Sequence, residues 1–503
     1  AWRPGCDPFM SAEILINAGV GEIRIAHLCH GRLEELSFER TIGGEEGTRH
    51  CHSHIGDVIL GRVQRVLPGM QAAFVDIGME RAGFLGLREA KILARKVSDD
   101  TAISDCVREG EGLLVQVIKD PIGEKGARLS AGVTLPGRLL VMTPGQDGVA
   151  VSRRIEDEPQ RETLIALGEQ LLAEEAQTLP PGAGIIFRTA AQGASLEELA
   201  LDVRTLGETW RCIEDRKKTA RAPATLYRDL GPIERAMRDV VRGDVERVLI
   251  DDAGAVEAAR AYCRKVMPGA ETRIELASRS LFEDHGLEEE IARLSQPRVA
   301  LPCGGWITIE TTEALTAVDV NSGSFTQSGG LEETSLAVNL EAAAEIGRQL
   351  RLRGIGGLIV VDFIHLGEGA NAARVIETLE QSLSFDRAPL QISPMTEFGI
   401  VAVTRKRLRE PLARRTSVAC TGCGGTGRAS APDCVALEIL RRVEREAAAN
   451  PGAELVVTAA PDVVAWLTRH LDEIGPALLR RGAGRVRFEA GECLGRRFDV
   501  ARR

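Results

Sequence analysis

The stretch LTAVDVNSGSF, Leu315 to Phe325, constrains the fold of this chain more than any other. Its alternating, β-branched residues make a strand, and a strand turns successive side chains to opposite faces. Thr316 and Val318 therefore share one face, while Ala317, Asp319 and Asn321 share the other. Further along, GGLIVVDFIHL holds an apolar run, Leu358 to Val361, that reads as a buried strand and ends in a second carboxylate, Asp362. A carboxylate at the end of a buried strand costs desolvation unless it is paired, hydrogen-bonded or bound to a cation. A divalent metal would account for both at once; the alternative is that each caps its strand or the following turn separately.

At 503 residues, 44% of them hydrophobic, the chain is too long for one core and is expected to form several domains. No apolar run approaches the roughly 20 residues that span a bilayer, and AWRPGCDPFM lacks the layout of a secretory signal, so a soluble, cytoplasmic protein is expected. Residues 1–9, ahead of Met10, read as an extension outside the fold. Eleven cysteines, scattered apart from one pair, have the distribution of reduced thiols and not of a disulfide framework. A net charge of −10 excludes any global attraction to polyanions, so nucleic-acid binding would need local basic patches. Two runs supply them, Thr404 to Arg415 and Arg211 to Arg221, although such runs also read as solvated helix faces.

Along the chain, AEILINAG, GEIRIAHLC and RLEELSFER predict an antiparallel set, followed by the polar loop IGGEEGTRHCHSH. From Ile55 to about Ser130, some five short strands with Gly-rich turns predict a small closed barrel of the oligonucleotide-binding kind. Strands at GRLLVMTP, GVAVSRRI and GAGIIFRTAA, with a helix over 161–176 and another from Ser195, form an α+β unit. An α/β domain from about Pro297 to Thr404, with a helix over 332–351, carries both aspartates. Beyond Arg428, helix and strand alternate twice in a small terminal domain.

Several constellations bear chemistry. Cys420 and Cys423 in CTGCGGTG have the spacing that grips one tetrahedral metal, with glycines that let backbone amides turn toward the sulfurs. They provide two ligands of four, so a closed zinc site would borrow two thiolates from a second copy of the chain. The alternatives are a redox pair or two incidental thiols, and a thioredoxin-like pair would open a helix after a strand. Phe74 and Phe84 stand in the expected barrel with Lys125 nearby; they read as base-stacking platforms or as core filler. Arg188 and Thr189 end a strand as a guanidinium beside a hydroxyl, suited to phosphate or to an ordinary surface ion pair. His50, Cys51, His52 and His54 are potential metal ligands in a loop whose spacing implies no geometry.

The barrel, FRTA, TAVDVNS, VVDFI and CTGCGGTG, in this order, resemble the ribonuclease E/G family of bacterial endoribonucleases over nearly the whole chain from Met10. With the chain ending soon after its terminal domain, it resembles the shorter, tail-less members; the alternative is the catalytic half of a longer, scaffold-bearing one. The resemblance implies catalytic magnesium on Asp319 and Asp362, with Asn321 helping to hold the site. It implies RNA binding by Phe74, Phe84 and Lys125, a 5′-monophosphate cup of Gly137, Val141, Arg188 and Thr189, and a zinc ion shared between protomers through Cys420 and Cys423. Pro389 in DRAPLQIS departs from the family's usual basic residue and puts one RNA contact in doubt.

The implied architecture is a multidomain α+β and α/β chain. A ribonuclease-H-like subdomain takes 1–52 and 234–294, interrupted by an oligonucleotide-binding (OB-fold) barrel, 53–136, and a 5′-sensor domain, 137–233. A DNase-I-like catalytic domain (295–416), a zinc link (417–430) and a small dimerisation domain (431–503) follow. The implied activity is magnesium-dependent cleavage of single-stranded, 5′-monophosphorylated RNA in ribosomal-RNA maturation and mRNA decay, by a homodimer or a pair of such dimers. The rival expectation is an RNA-binding scaffold without catalysis; its weakness is that pure binding has no use for an acidic pair facing a polyanion.

Overall fold

Alternating strands open the fold in a computed structural model, which describes residues 12–40, 54–94, 98, 101–121, 125–239, 241, 245–324, 330–384, 386–407, 410–420, 423, 425, 427–491 and 498–502. The proposed N-terminal extension and His50, Cys51 and His52 thus lie outside the described residues. The chain divides into two units, Ala1–Arg409 and Glu410–Arg503.

In the first unit, Ala12–Ala18, Glu22–Cys29 and Arg32–Arg40 form an antiparallel meander. Ala12–Ala18 also pairs in parallel with Val245–Ile250, and Ile274–Leu276 completes a five-stranded sheet. The chain therefore leaves this sheet and returns to it some two hundred residues later. During the excursion Val58–Leu67, Ala72–Asp76, Gly83–Gly86, Arg128–Ser130 and Gly112–Lys119 pair in that spatial order, and the last closes on the first. This is a closed five-stranded barrel, consistent with an OB fold, whose inward residues include Ile59, Val63, Val75, Leu85, Val115 and Leu129.

Next, Gly148–Val151, Gly184–Phe187, Leu140–Thr143 and Leu135–Pro136 form a mixed sheet. Helices Glu158–Glu174 and Leu196–Thr219 accompany it, the second opened by a reciprocal Ser195–Glu198 capping box. The basic run Arg211 to Arg221 covers the last turns of this second helix and its exit, where Lys218 pairs with Asp215 at 2.8 Å. Cations there complement the helix dipole, so the run is a solvated helix end.

The sheet that carries both aspartates runs Arg298–Ala300, Trp306–Thr311, Leu315–Asn321, Gly357–Asp362, Ile400–Arg405, Leu390–Ile392. Helices Leu331–Arg353 and Gly369–Leu383 contribute to a core with Ile307, Val318, Ile359, Val361 and Val403 from one face of this sheet. The first helix is tied to the N-terminal meander by buried charge: Arg348 pairs with Glu345 at 2.8 Å and Glu290 at 2.7 Å and donates to the Leu33 carbonyl, and Arg32 also meets Glu345. Burial alone would lower the Arg348 pKa; Glu345 and Glu290 outweigh it and hold it above the ordinary value.

The second unit packs helix Pro432–Ala449 and helices Pro461–Arg469 and Leu471–Arg480 with a three-stranded sheet. Leu455–Ala459 is its centre, parallel to Val486–Ala490 and antiparallel to Asp499–Arg502. No helix among the described residues is long and apolar enough to cross a membrane.

Candidate active site and nucleic-acid interface

Leu315–Asn321 and Gly357–Asp362 are parallel neighbours, and their register sets Asp319 directly beside Asp362. Thr316, Val318 and Val320 point into the core while Ala317 and Asp319 are exposed, so the alternation read from the sequence holds. The companion strand departs from its reading as a buried strand: Ile359 and Val361 are buried, but Leu358 is 42% exposed and Asp362 is exposed. The sheet thus has one core face and one open face, and the carboxylates stand in water instead of paying for burial. Like charges directly opposite on neighbouring strands cost roughly 0.2–1 kcal/mol. Among the described residues neither carboxylate has an ion-pair partner, and Asn321 Nδ2 donates to Asp319 Oδ2 at 2.6 Å. The donor set is hard oxygen, exposed and anionic, with room for water, which fits magnesium and is a poor match for softer metals. Among the described residues, no group of three or more His, Cys, Asp or Glu side chains is arranged to hold a metal ion.

On the barrel, Phe74 and Phe84 are cross-strand partners whose rings meet edge to face, centroids 6.0 Å apart at 76°. Both are only partly buried, and Lys125 is exposed. Sequence reading missed their flanks: Arg65 pairs with Phe74 and Arg128 with Phe84, giving a transverse row of two rings between two guanidiniums. These partners come from separate strands, so spacing gave no signal. Arg128 is shared with Glu89 at 2.8 Å.

Of the four residues expected to form the phosphate cup, Gly137 and Arg188 touch, Thr189 is next in sequence and Val141 lies on the neighbouring strand. Arg188 Nη1 donates to the Gly137 carbonyl at 2.6 Å, and Thr189 follows in a short 3-10 turn. Val141 pairs with Ile186, and Arg188, extended and two residues on from Ile186, faces the same side of the sheet. Two acids hold this corner, and neither was singled out in the sequence. Asp202, 3% exposed, accepts the amides of Arg138, Leu139 and Leu140 at 3.1, 2.8 and 2.9 Å. Burial raises its pKa against those three bonds. A Cβ at Gly137 would sit 2.5 Å from Asp202 Oδ2, so only glycine fits. Asp239 takes Arg188 at 2.8 Å and Arg238 at 2.9 Å; burial pushes its pKa up, but Arg238 and then Arg188 outweigh it and bring it down to about 2.

Two cations of the second basic run, Arg405 and Arg407, serve the fold. Arg405 makes a buried pair with Asp386 at 2.6 Å, and Arg407 donates to the Gly356 carbonyl. Pro389 is exposed, and its carbonyl accepts the Lys406 amide. His54 Nδ1 lies 3.0 Å from Asp57, a local ring-to-carboxylate contact.

In the second unit, Cys420 is exposed and Cys423 half-buried. The Gly427 amide donates to Cys423 Sγ at 3.3 Å, with Gly425 and Gly427 in the left-handed region. An amide aimed at the sulfur is the arrangement the glycines predicted. The pair follows helix Leu412–Thr416 and precedes helix Pro432–Ala449, unlike a thioredoxin-type pair that opens a helix directly after a strand.

The candidate site thus comprises an acidic pair on an open sheet face, a barrel with half-buried aromatics and an arginine-lined corner. The Ribonuclease E/G family model matches residues 134–408, and the chain belongs to that family. A second model of the same family, described as the RNase E/G, Thioredoxin-like domain, matches residues 419–473 and gives the terminal unit a kinship the sequence reading left out. Ribonuclease G of Salmonella typhimurium (strain SL1344) is 37% identical over 463 residues, covering 90% of this chain and 92% of that protein. Ribonuclease G of Haemophilus influenzae is 36% identical over 466 residues, 91% and 92%. Ribonuclease E of Nostoc sp. is 40% identical over 382 residues, 75% of this chain and 54% of its own length.

Proposed function

We propose that the chain is a magnesium-dependent endoribonuclease that cuts single-stranded RNA, prefers a 5′ monophosphate, and acts in ribosomal-RNA maturation and mRNA decay. Endoribonuclease activity follows from family membership. The observation that carries the finer reading is the register that seats Asp319 beside Asp362 on an open face. Asp319 and Asp362 would hold the ion, and Asn321, bonded to Asp319, would keep that carboxylate aimed. Bound there, magnesium would stabilise charge developing on the phosphodiester and make a water more acidic. Water adds to phosphorus as the P–O3′ bond breaks, and the 3′ oxygen leaves with a proton, giving 5′-phosphate and 3′-hydroxyl ends.

Phe74 and Phe84 would stack unpaired bases, with Lys125 on the backbone; a duplex hides the base faces this needs. Gly137, Val141, Arg188 and Thr189 would cup the terminal monophosphate, with Asp239 keeping Arg188 extended toward it. The subdomains expected from the resemblance, ribonuclease-H-like, sensor and DNase-I-like, are part of the same proposal. So is a homodimer, or a pair of dimers, in which Cys420 and Cys423 share one zinc with a second copy.

The test is cleavage of a short unpaired RNA bearing either a 5′ monophosphate or a 5′ hydroxyl, with magnesium or EDTA. Cleavage should favour the monophosphate, stop in EDTA, and nearly vanish in Asp319→Asn and Asp362→Asn while RNA binding persists. Wild-type rates in either variant would refute the metal assignment; binding without cleavage by the native protein would favour the scaffold reading.

A further inference from the structure

We propose that Arg298, stacked on Trp306, is a positioning residue that binds the RNA phosphate next to the one being cut. The inference rests on the reading of Asp319 and Asp362 as the cleavage site. Along one register line of the open face stand Arg298, Thr308, Asp319 and Asp362, each the direct partner of the next. Strand spacing of about 4.8 Å puts the Arg298 backbone about 10 Å from that of Asp319. That offset suits a neighbouring phosphodiester and not the scissile one.

The guanidinium is already ordered. Its carbon lies 3.8 Å from the centroid of the Trp306 ring, and Trp306 is itself the cross-strand partner of Asn321. Gly323 lets the chain pass close to the indole, since a Cβ there would come to 3.0 Å from the ring. Stacking uses the face of the guanidinium and leaves its edge N–H groups for a ligand. Among the described residues the Arg298 guanidinium makes no hydrogen bond or ion pair, unlike those of Arg188, Arg348 and Arg405, each held by a carboxylate. An ordered, unneutralised cation two strands from an acidic pair offsets the repulsion that pair exerts on a polyanion. It also fixes the backbone on one side of the cut, the positioning from which in-line displacement gains rate.

The experiment measures binding of a fluorescent unpaired RNA in EDTA across a salt series, then steady-state cleavage in magnesium. Arg298→Gln should lower the slope of log K against log salt by about 0.7, the loss of one single-strand phosphate contact, and raise KM about tenfold. Arg298→Lys should restore the slope, and Trp306→Leu should weaken binding with the slope kept, since the charge remains but is no longer held. Arg264→Gln, on the remote helix Ala253–Val266, should change neither and controls for net charge. A wild-type slope and KM in a folded Arg298→Gln protein overturns the proposal. The binding arm needs no catalysis, so an inactive native protein would sink the cleavage reading separately from this contact.

Discussion

Replacing Gly137 by alanine tests how the proposed 5′-phosphate corner is built. The added Cβ would lie 2.5 and 2.6 Å from the two oxygens of Asp202, whose carboxylate already accepts three consecutive amides. Real carbon–oxygen contacts do not come that close, so the carboxylate or the loop has to move. A hydrogen bond to a buried charged group contributes about 1.5–3 kcal/mol, and losing one puts the cost at about 2 kcal/mol. For a cooperative unit of 150–250 residues that corresponds to a fall in thermal midpoint of roughly 4–8 °C. The moved loop carries the Gly137 carbonyl that accepts from Arg188, so Arg188 should lose its aim as well. The assay is a thermal melt alongside cleavage of matched RNAs with 5′-monophosphate or 5′-hydroxyl ends. The ratio of their rates should fall toward one, while cleavage of the hydroxyl RNA should stay near native because Asp319 and Asp362 lie in another sheet. A Gly137→Ala protein that melts like the native one and keeps the full preference would refute this reasoning.

Asp239 gives a pH signature: with its pKa brought from 3.8 to about 2, its contribution is present above its ordinary value and lost as pH falls through 4 toward 2. At about 1.4 kcal/mol per unit this amounts to about 2.5 kcal/mol, so urea midpoints of native protein and Asp239→Asn should differ steadily from pH 5 to 8 and converge below 4; a gap unchanged at pH 3 would contradict it. Phe74→Leu keeps an apolar contact but removes a stacking face, and should weaken unpaired-RNA binding about 5- to 150-fold, corresponding to roughly 1–3 kcal/mol per base. Equal affinity would make Phe74 core filler. Cys420→Ser should take bound zinc from about half an ion per chain toward none and shift sedimentation from dimer to monomer; a zinc-free dimer would remove the shared-metal idea.

Local periodicity made much of this legible. The alternation around Asp319 correctly named its face, and turn spacing located a closed barrel, because both signals live within a few residues. The run Leu358 to Val361 misled, since four consecutive apolar residues read alike whether one face or both are covered. Asp202 left a readable trace: it stands on the apolar stripe of Leu199, Val203 and Leu206, where a carboxylate demands partners. Asp239 left none, because its tie to Arg188 crosses 51 residues and only the fold brings the two together. The Arg298–Trp306 stack was hidden too, lying across a short edge strand and its hairpin partner.

The central claim is that one cation is shared by Asp319 and Asp362, and it is tested most directly by titrating manganese, as a spectroscopic stand-in for magnesium, into native protein and each single Asn variant. The account predicts one competing site per chain in the native protein, displaced by magnesium and lost in Asp319→Asn and in Asp362→Asn alike. Undiminished manganese binding in either variant would contradict it.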